Sequence, residues 1–367
     1  MEIIGQERAK EILSFSMTRD RLAHAYLFHG QPGLGKDAMA ISMAAWMNCE
    51  NKSQWGCGNC VPCKQLARLE YPGFHLVLPS PGKPRAMKED QYRSIIREKS
   101  LQWMENPFYP VSFSPEISTL PVIGIDQIRD LKKEVALKMA TGRFRIICIS
   151  QADKMTPSAA NSLLKLLEEP PAGTVLFLTT NHPNRMLATI LSRCHVLRFD
   201  PIAENEIENY LLGQEGVTAE NAALYAKIAG GSLGRAMSLL SGDYEEMVQT
   251  ASEYLTGCME NSSIKRIEAS ETLMQGREKT DVLDLLRVLQ LILRDCLVAQ
   301  TGFWNKIIHS GLKEKIEKIL IQRPLFDVER ALRHVEQSVD FIEKNVYLLL
   351  IIHELTDNLY RCEKEKK

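Results

Sequence analysis

Hydrophobic and polar positions follow two different patterns along this chain. In the first half, short apolar runs alternate with longer stretches that carry hydrophobic residues at helical spacing. Strands that read as continuous apolar runs and alternate with helices favour a parallel sheet with helices on both faces. The sequence therefore predicts an α/β fold with five parallel strands, in the segments 24–29, 74–78, 145–150, 174–180 and 195–199.

The helical stretches of this half lie between the predicted strands. They run from Gln6 to about Thr18, from the first strand to about Asn48, from Val122 to Met139, and from Pro157 to Glu169. We expect Asp126 to cap the third of these helices. Pro170-Pro171 ends the fourth, because proline cannot continue a helix.

The part of the chain after Pro201 is predicted to be entirely helical. Three short helix patterns lie between Ala203 and Leu240. Longer amphipathic helices follow from about Asp243, and the clearest are Val282–Ala299 and Asp327–Tyr360. The length of 367 residues suggests two or three domains, and the helical pattern changes near residues 200 and 242.

A glycine-rich turn joins the first predicted strand to the helix that follows it. Gly30, Gly35 and Lys36 fit the phosphate-binding pattern G-x-x-x-x-G-K-[ST], and Gly33 lies inside the turn. In such loops, N–H groups at a helix N-terminus bind phosphate oxygens, and the lysine reaches the terminal phosphates. The last position holds Asp37, which adds negative charge where a hydroxyl would bind magnesium. A tight turn without a ligand is the alternative interpretation.

The groups that an ATPase needs for hydrolysis are also replaced elsewhere. An acidic residue at the end of a neighbouring strand normally holds magnesium, and a further group orients the attacking water. After the strand residues Ile146–Ile149, the chain continues with Ser150-Gln151-Ala152-Asp153, so both expected carboxylates are replaced. Together with Asp37, these residues predict a nucleotide-site fold that does not hydrolyse ATP and binds it weakly or not at all.

Four cysteines form a candidate metal site. Cys57, Cys60 and Cys63 stand at C-x-x-C-x-x-C spacing, and Cys49 lies at the end of a predicted helix. Four thiolates without a nearby histidine suit a closed, tetrahedral and structural zinc site. Free cysteines in a turn and an iron–sulfur cluster are the alternatives.

A proline-rich excursion interrupts the α/β pattern in residues 79–120. It contains charged and aromatic residues and six prolines, at positions 79, 81, 84, 107, 110 and 115. We interpret it as an extended surface segment with one helix near Asp90 to Trp103. The sequence does not indicate its role.

Composition, charge and the apolar segments indicate the cellular compartment of the protein. The 367 residues carry a formal net charge of −1, so no bulk basic field favours binding to nucleic acid. The N-terminus lacks the pattern of a signal peptide, and the apolar run Val346–Ile352 is too short to span a bilayer. We therefore expect a cytoplasmic protein without a membrane partner, whose nine cysteines are thiols or metal ligands.

Several of these segments resemble the AAA+ clamp-loader family of bacterial DNA polymerase III. The specific motifs lie within about residues 1–240, and the helical remainder matches only in pattern. The resemblance is carried by residues 24–36, the four cysteines, and residues 126–129, 161–171, 179–181 and 192–194.

The resemblance implies a domain organisation and roles for several residues. It implies a RecA-like domain in 1–200 with a zinc-binding insert near 49–63, a three-helix lid in 201–242 and an oligomerising helical collar in 243–367. Arg193, in Ser192-Arg193-Cys194, would be an arginine finger for the ATP of a neighbouring subunit. Asn181, after Thr180, and Arg235 match sensor positions, and residues 3–6 match the segment that lines the adenine pocket.

The resemblance also implies a function. The chain would be a non-hydrolysing subunit that works with the gamma/tau motor and delta subunits to load the sliding clamp onto primed DNA. An ATP-hydrolysing motor subunit is the first alternative, and Asp37, Ser150 and Gln151 oppose it. A zinc-dependent nucleic-acid-binding module is the second, although the cysteine insert lacks flanking aromatic and basic residues. A thiol-redox protein is a distant third.

Overall fold

The computed structural model describes residues 3–19, 21–84, 87–108, 121–136, 144–241, 244–277, 279–344 and 346–363. The chain forms two compact units, Met1–Ser238 and Leu239–Lys367. The finer division at residue 200 stays a prediction. Residues 109–120 of the excursion and residues 137–139 of the predicted third helix lie outside the described part.

The first unit is built on a five-stranded parallel sheet with the strand order β2-β3-β4-β1-β5. This sheet confirms the predicted fold class, and each strand lies within one or two residues of its predicted position. The strands are β1 Ala25–His29, β2 Phe74–Val77, β3 Arg145–Ile149, β4 Thr174–Thr180 and β5 His195–Arg198.

Helices cover both faces of this sheet. Alternate side chains of the central strands therefore enter two separate cores, one containing Phe28 and Phe177 and the other containing Leu27 and Leu178. The helices that contribute to these cores are α1 Glu7–Thr18, α2 Lys36–Asn48, α3 Val61–Ala67, α4 Glu89–Glu105, α5 Ile125–Ala136, α6 Pro157–Glu168 and α7 Ala188–Leu191. After β5 the chain forms α8 Glu204–Leu212, α9 Ala219–Ala229 and α10 Leu233–Ser241, and α10 extends past residue 238.

The start of α5 differs from the prediction. The helix begins at Ile125, so Asp126 lies in its first turn and pairs with Arg129 instead of capping the helix. The Gln127 amide takes over this function: its oxygen accepts from the Gly124 N–H at 2.8 Å, and its nitrogen donates to the Leu78 carbonyl at 2.9 Å. Gln127 thereby joins the helix start to the segment after β2.

The second unit is helical, as predicted. Its helices are α11 Tyr244–Cys258, α12 Ser263–Met274, α13 Lys279–Gln300, α14 Lys313–Gln322, α15 Val328–Glu343 and α16 Leu348–Tyr360. The prediction of one helix from Asp327 to Tyr360 is wrong. Tyr347 takes an extended backbone conformation before α16, in a segment where valine and tyrosine are weak helix formers. Among the described residues, no helix has the length and apolar character needed to cross a bilayer.

A buried carboxylate organises part of the second unit. Asp295 on α13 accepts from the His309 ring at 2.7 Å and from the backbone N–H groups of Ile308 and His309 at 2.9 Å. The far nitrogen of His309 lies 2.7 Å from the Tyr244 hydroxyl. Burial favours neutral Asp295, but its hydrogen bonds and the His309 charge outweigh burial and lower its pKa.

We expect Asp295→Ala to lower the free energy of unfolding by about 3–5 kcal/mol at neutral pH, because His309 and two N–H groups lose a buried acceptor. The lowered pKa makes this contribution complete above the ordinary aspartate value of about 3.9, and it is lost only as the pH falls below that value. Urea unfolding from about pH 3 to pH 8 checks both statements. Asp284→Ala on the same helix is the control, since that carboxylate is 42% exposed.

A loss of stability in Asp295→Ala no larger than in Asp284→Ala would contradict this account. A loss that disappears between pH 8 and 6 would also contradict it, because the lowered pKa of Asp295 places its titration below that window.

Candidate nucleotide site and metal centre

The glycine-rich turn lies at the edge of the sheet where parallel strands end. β1 leads directly into Gly30, and the neighbouring strands β3 and β4 end just before Ser150 and Asn181. Ligands of open parallel sheets bind outside this carboxyl edge. The structure therefore brings together, at one edge, the turn and the strand ends that the sequence singled out.

The backbone of the turn requires its glycines. Gly33 and Gly35 have φ values of +74° and +86°, in the left-handed region that glycine enters without steric cost. A Cβ atom on Gly30 would lie 2.5 Å from the Phe199 carbonyl oxygen. The turn thus has the geometry of a phosphate-binding loop.

Lys36 is turned back onto the loop. Its ammonium group donates to the carbonyl oxygens of Gly30 at 2.9 Å and Gln31 at 2.5 Å, and only 6% of the residue is exposed. Burial lowers the pKa of Lys36 to about 8, although Asp37 and Asp153 oppose this shift. In this arrangement the ammonium group of Lys36 donates to carbonyl oxygens of the loop itself.

Asp37 occupies the position where the hydroxyl of the phosphate-binding pattern would bind magnesium. Its carboxylate accepts from the Thr179 hydroxyl at 2.7 Å and from the Ser150 hydroxyl at 3.1 Å. The protein packed around Asp37 raises its pKa, and the two hydroxyls and Lys36 only partly offset this effect. Two departures from the ATPase pattern, Asp37 and Ser150, are therefore hydrogen-bonded to each other.

Sequence reasoning missed Thr179. Its hydroxyl donates to Asp37 and also accepts from the Gln151 N–H at 3.2 Å. Gln151 itself has a left-handed backbone, with φ +51°. The available signal was a threonine one position before the end of β4, next to the strand that leads into the loop.

The sensor positions lie around the same edge. Asn181 follows β4 directly, and the preceding Thr180 hydroxyl donates to Asp153 at 2.6 Å. Arg235 lies in the first turn of α10, where its N–H donates to the Ser232 hydroxyl at 3.2 Å. The roles of Asn181 and Arg235 stay predictions.

The N-terminal segment is attached to the loop. The Gln6 amide nitrogen donates to the carbonyls of Leu34 at 3.3 Å and Asp200 at 2.7 Å, and its oxygen accepts from the Asp200 N–H at 3.1 Å. Gln6 therefore joins the loop to the end of β5. The adenine-side role of residues 3–6 stays a prediction, and the Gln6 amide already has protein partners.

Arg193 lies away from the loop of its own chain. It comes just before β5, whereas the loop adjoins the other end of that parallel strand. Its guanidinium donates to Glu168 at 2.6 Å and to the Thr189 carbonyl at 2.9 Å, and 34% of its side chain is exposed. The structure thus does not bring Arg193 together with the other predicted nucleotide-site residues.

The four predicted metal-binding cysteines form one cluster. The sulfur atoms of Cys49, Cys57, Cys60 and Cys63 all lie within 4.8 Å of one another. Tetrahedral bonds of 2.3 Å to one ion would place sulfur atoms about 3.8 Å apart, and Cys49 and Cys60 are separated by 3.9 Å. This arrangement can hold a metal ion.

The environment of the cluster favours thiolate at one position. The backbone N–H groups of Asn59 and Cys60 lie 3.4 and 3.3 Å from the Cys57 sulfur and lower its pKa to about 6. Burial raises the pKa of Cys63 to about 12. An ion that binds the cluster must therefore displace a proton from Cys63, which makes metal binding pH-dependent.

Comparison with known proteins identifies the family. The family described as "DNA polymerase III, delta subunit" matches residues 5–203, which is more than half of the chain. The chain belongs to this family. The delta-prime subunit of Bacillus subtilis (strain 168) is 28% identical to it over 95% of this chain and 96% of its own length.

Two further relatives have lower sequence identity to this chain. A DNA polymerase III tau/gamma subunit of Haemophilus influenzae is 27% identical over 88% of this chain, which spans only 41% of that protein. A solved structure of a DNA polymerase III gamma subunit-related protein from Thermotoga maritima is 15% identical, covers 98% of this chain and 99% of its own, and has a TM-score of 0.43.

We expect Asp37→Asn to raise the melting temperature at pH 7.5. Because the folded pKa of Asp37 is raised, the wild-type protein loses stability as the pH rises above 3.8, and asparagine does not titrate. A gain of about 1 kcal/mol would raise Tm by roughly 2–4 °C in a domain of this size. The gain should shrink as the pH falls towards 4, as calorimetric scans over this range would show.

Asp200→Asn is the matched control, since Asp200 is an exposed carboxylate that pairs with Arg198. An Asp37→Asn gain that is constant with pH, or larger at pH 4 than at pH 7.5, would rule out the titration of Asp37 as its cause.

Proposed function

We propose that this chain is a non-hydrolysing, delta-prime-type subunit of the bacterial replicative clamp loader, acting in the cytoplasm. It helps to load the sliding clamp onto primed DNA together with the gamma/tau motor and delta subunits. The observation that carries this proposal is the Asp37 carboxylate, which binds the hydroxyls of Ser150 and Thr179 where an ATPase needs magnesium ligands.

Arg193 supplies the catalytic contribution of this subunit in the proposed function. Its own loop lacks the hydrolytic groups and lies at the far end of β5, so Arg193 has no reacting phosphate nearby in its own chain. A guanidinium keeps its charge and can bind a phosphoryl group through two N–H groups. Glu168 holds this side chain while leaving a third of it exposed to a neighbouring subunit.

An ATP-hydrolysing motor subunit remains the second candidate. It is favoured by the similarity to the tau/gamma subunit and by the intact lysine at position 36. Steady-state ATP turnover by the isolated chain, abolished by Lys36→Ala, would support the motor and refute the non-hydrolysing subunit.

We predict that Arg193→Ala lowers the clamp-stimulated ATPase of the reconstituted loader without affecting assembly. Arginine fingers contribute roughly 10³–10⁵ in rate at the site they serve, and only the one adjoining motor site depends on Arg193. The complex should therefore lose part of its activity. Turnover, assembly by gel filtration and clamp-loading rate are the measurements.

Two variants accompany this experiment. Arg193→Lys keeps the charge but loses the two-point geometry, so it should recover little activity. Arg8→Ala removes an exposed arginine of α1 and should behave as wild type. Wild-type ATPase and loading rates in the Arg193→Ala complex would remove this residue from the mechanism.

We also propose that the cluster of Cys49, Cys57, Cys60 and Cys63 holds one structural zinc ion. Four sulfur ligands close the coordination sphere and leave no position for substrate. Zinc would join the end of α2 to the loop before α3, since Cys49 follows α2 and Cys63 lies in α3. Its role is thus the stability of this insert.

We predict about one zinc per purified chain, and a lower zinc content and melting temperature in Cys60→Ser, because metal binding contributes to the free energy of folding. Cys194→Ser is the control, since Cys194 lies outside the cluster. Elemental analysis and thermal unfolding provide the readouts. Iron in place of zinc, or a metal-free protein with normal stability, would contradict the assignment.

A further inference from the structure

The proline-rich excursion reaches the glycine-rich loop. Its helix α4 carries Trp103, which is 1% exposed and belongs to the same core as Phe28 and Leu34. The chain then leaves the helix at Asn106 and continues through Pro107 to Phe108. The buried tryptophan therefore anchors the end of α4 close to the loop.

Phe108 packs directly against the loop. A Cβ atom on Gly35 would lie 3.2 Å from a carbon of the Phe108 ring, so the ring fills the space beside the residue that precedes α2. The Phe108 backbone is close to the lid as well: its carbonyl oxygen would be 2.6 Å from a Cβ on Gly234. Phe108 thus lies between the loop and the start of α10.

The start of α10 closes a second side of the loop. The Gly234 N–H donates to the Gly33 carbonyl at 3.0 Å, and the Ser232 hydroxyl donates to the Pro32 carbonyl at 3.0 Å. These contacts hold the predicted lid on the loop itself. A nucleotide bound between loop and lid would have to break them.

We propose that Phe108 is an internal seal of the phosphate-binding loop. Phosphate groups bind at the N–H groups that begin the loop helix, and the aromatic ring covers this position at Gly35. The ring offers no charge to a phosphate and hinders its entry. Phe108 therefore keeps the loop closed and nucleotide-free, an inference that rests on the non-hydrolysing function proposed for the same loop.

Hydrogen exchange tests the seal without any ligand. The first N–H groups of α2 have no partner within the helix, so the covering segment must contribute to their protection. In the full-length protein, Phe108→Ala should accelerate exchange in a peptide spanning residues 30–37 by about tenfold. Phe303→Ala, which removes an exposed phenylalanine of the second unit, should leave this peptide unchanged.

Calorimetry with ATP and magnesium tests the exclusion of nucleotide. Asp37→Thr restores the hydroxyl of the loop pattern, and the double variant with Phe108→Ala also removes the seal. We expect the double variant to bind ATP at least about tenfold more tightly than Asp37→Thr alone, a difference of about 1.4 kcal/mol. Phe108→Ser serves as a second truncation, and melting temperatures verify that each variant is folded.

The outcomes separate this inference from the proposed function. Unchanged exchange in both Phe108 truncations, or equal ATP affinity of the single and double variants, including no binding by either, overturns the seal and leaves the non-hydrolysing subunit intact. ATP turnover by the wild-type chain overturns the proposed function. Faster exchange together with tighter binding in the double variant supports the seal.

Discussion

A single carboxylate links the glycine-rich loop to the sheet. Asp37, in the first turn of α2, accepts hydroxyl hydrogens from Ser150 after β3 and from Thr179 in β4. The loop helix is thereby fastened to two neighbouring strands of the sheet. Burial already disfavours the charged form of Asp37 and raises its pKa, so a phosphate next to it would add further negative charge in a poorly solvated place. In the proposed function, the residue that links the loop helix to the sheet therefore also disfavours a nucleotide.

The loop keeps its shape because protein groups replace those of a nucleotide. Lys36 donates to loop carbonyls, Gln6 joins the loop to the end of β5, and Gly33 accepts from the Gly234 N–H of α10. Each contact gives a protein partner to a polar group of the loop or its surroundings. Under the proposed function, these contacts would keep the loop ordered without a nucleotide.

The sequence predicted the parts of this structure that depend on local patterns. Five apolar runs became five parallel strands, and the spacing of Cys57, Cys60 and Cys63 led to a compact sulfur cluster. Contacts between distant positions were not predictable: Asp37 and Thr179 are 142 residues apart, and periodicity contains no information about such a pair. The single helix predicted from Asp327 failed for a related reason, because the amphipathic pattern continues across the break before α16.

In the proposed function, the loop and Arg193 act at opposite edges of the sheet. Asp37 and its hydroxyl partners lie at the carboxyl edge, whereas Arg193 precedes β5 at the opposite edge. The contacts of Arg193 with Glu168 and Thr189 share no residue with the contacts of Asp37. Under the proposed function, substitutions at the loop can therefore remove hydrolysis without changing the residues that hold the arginine.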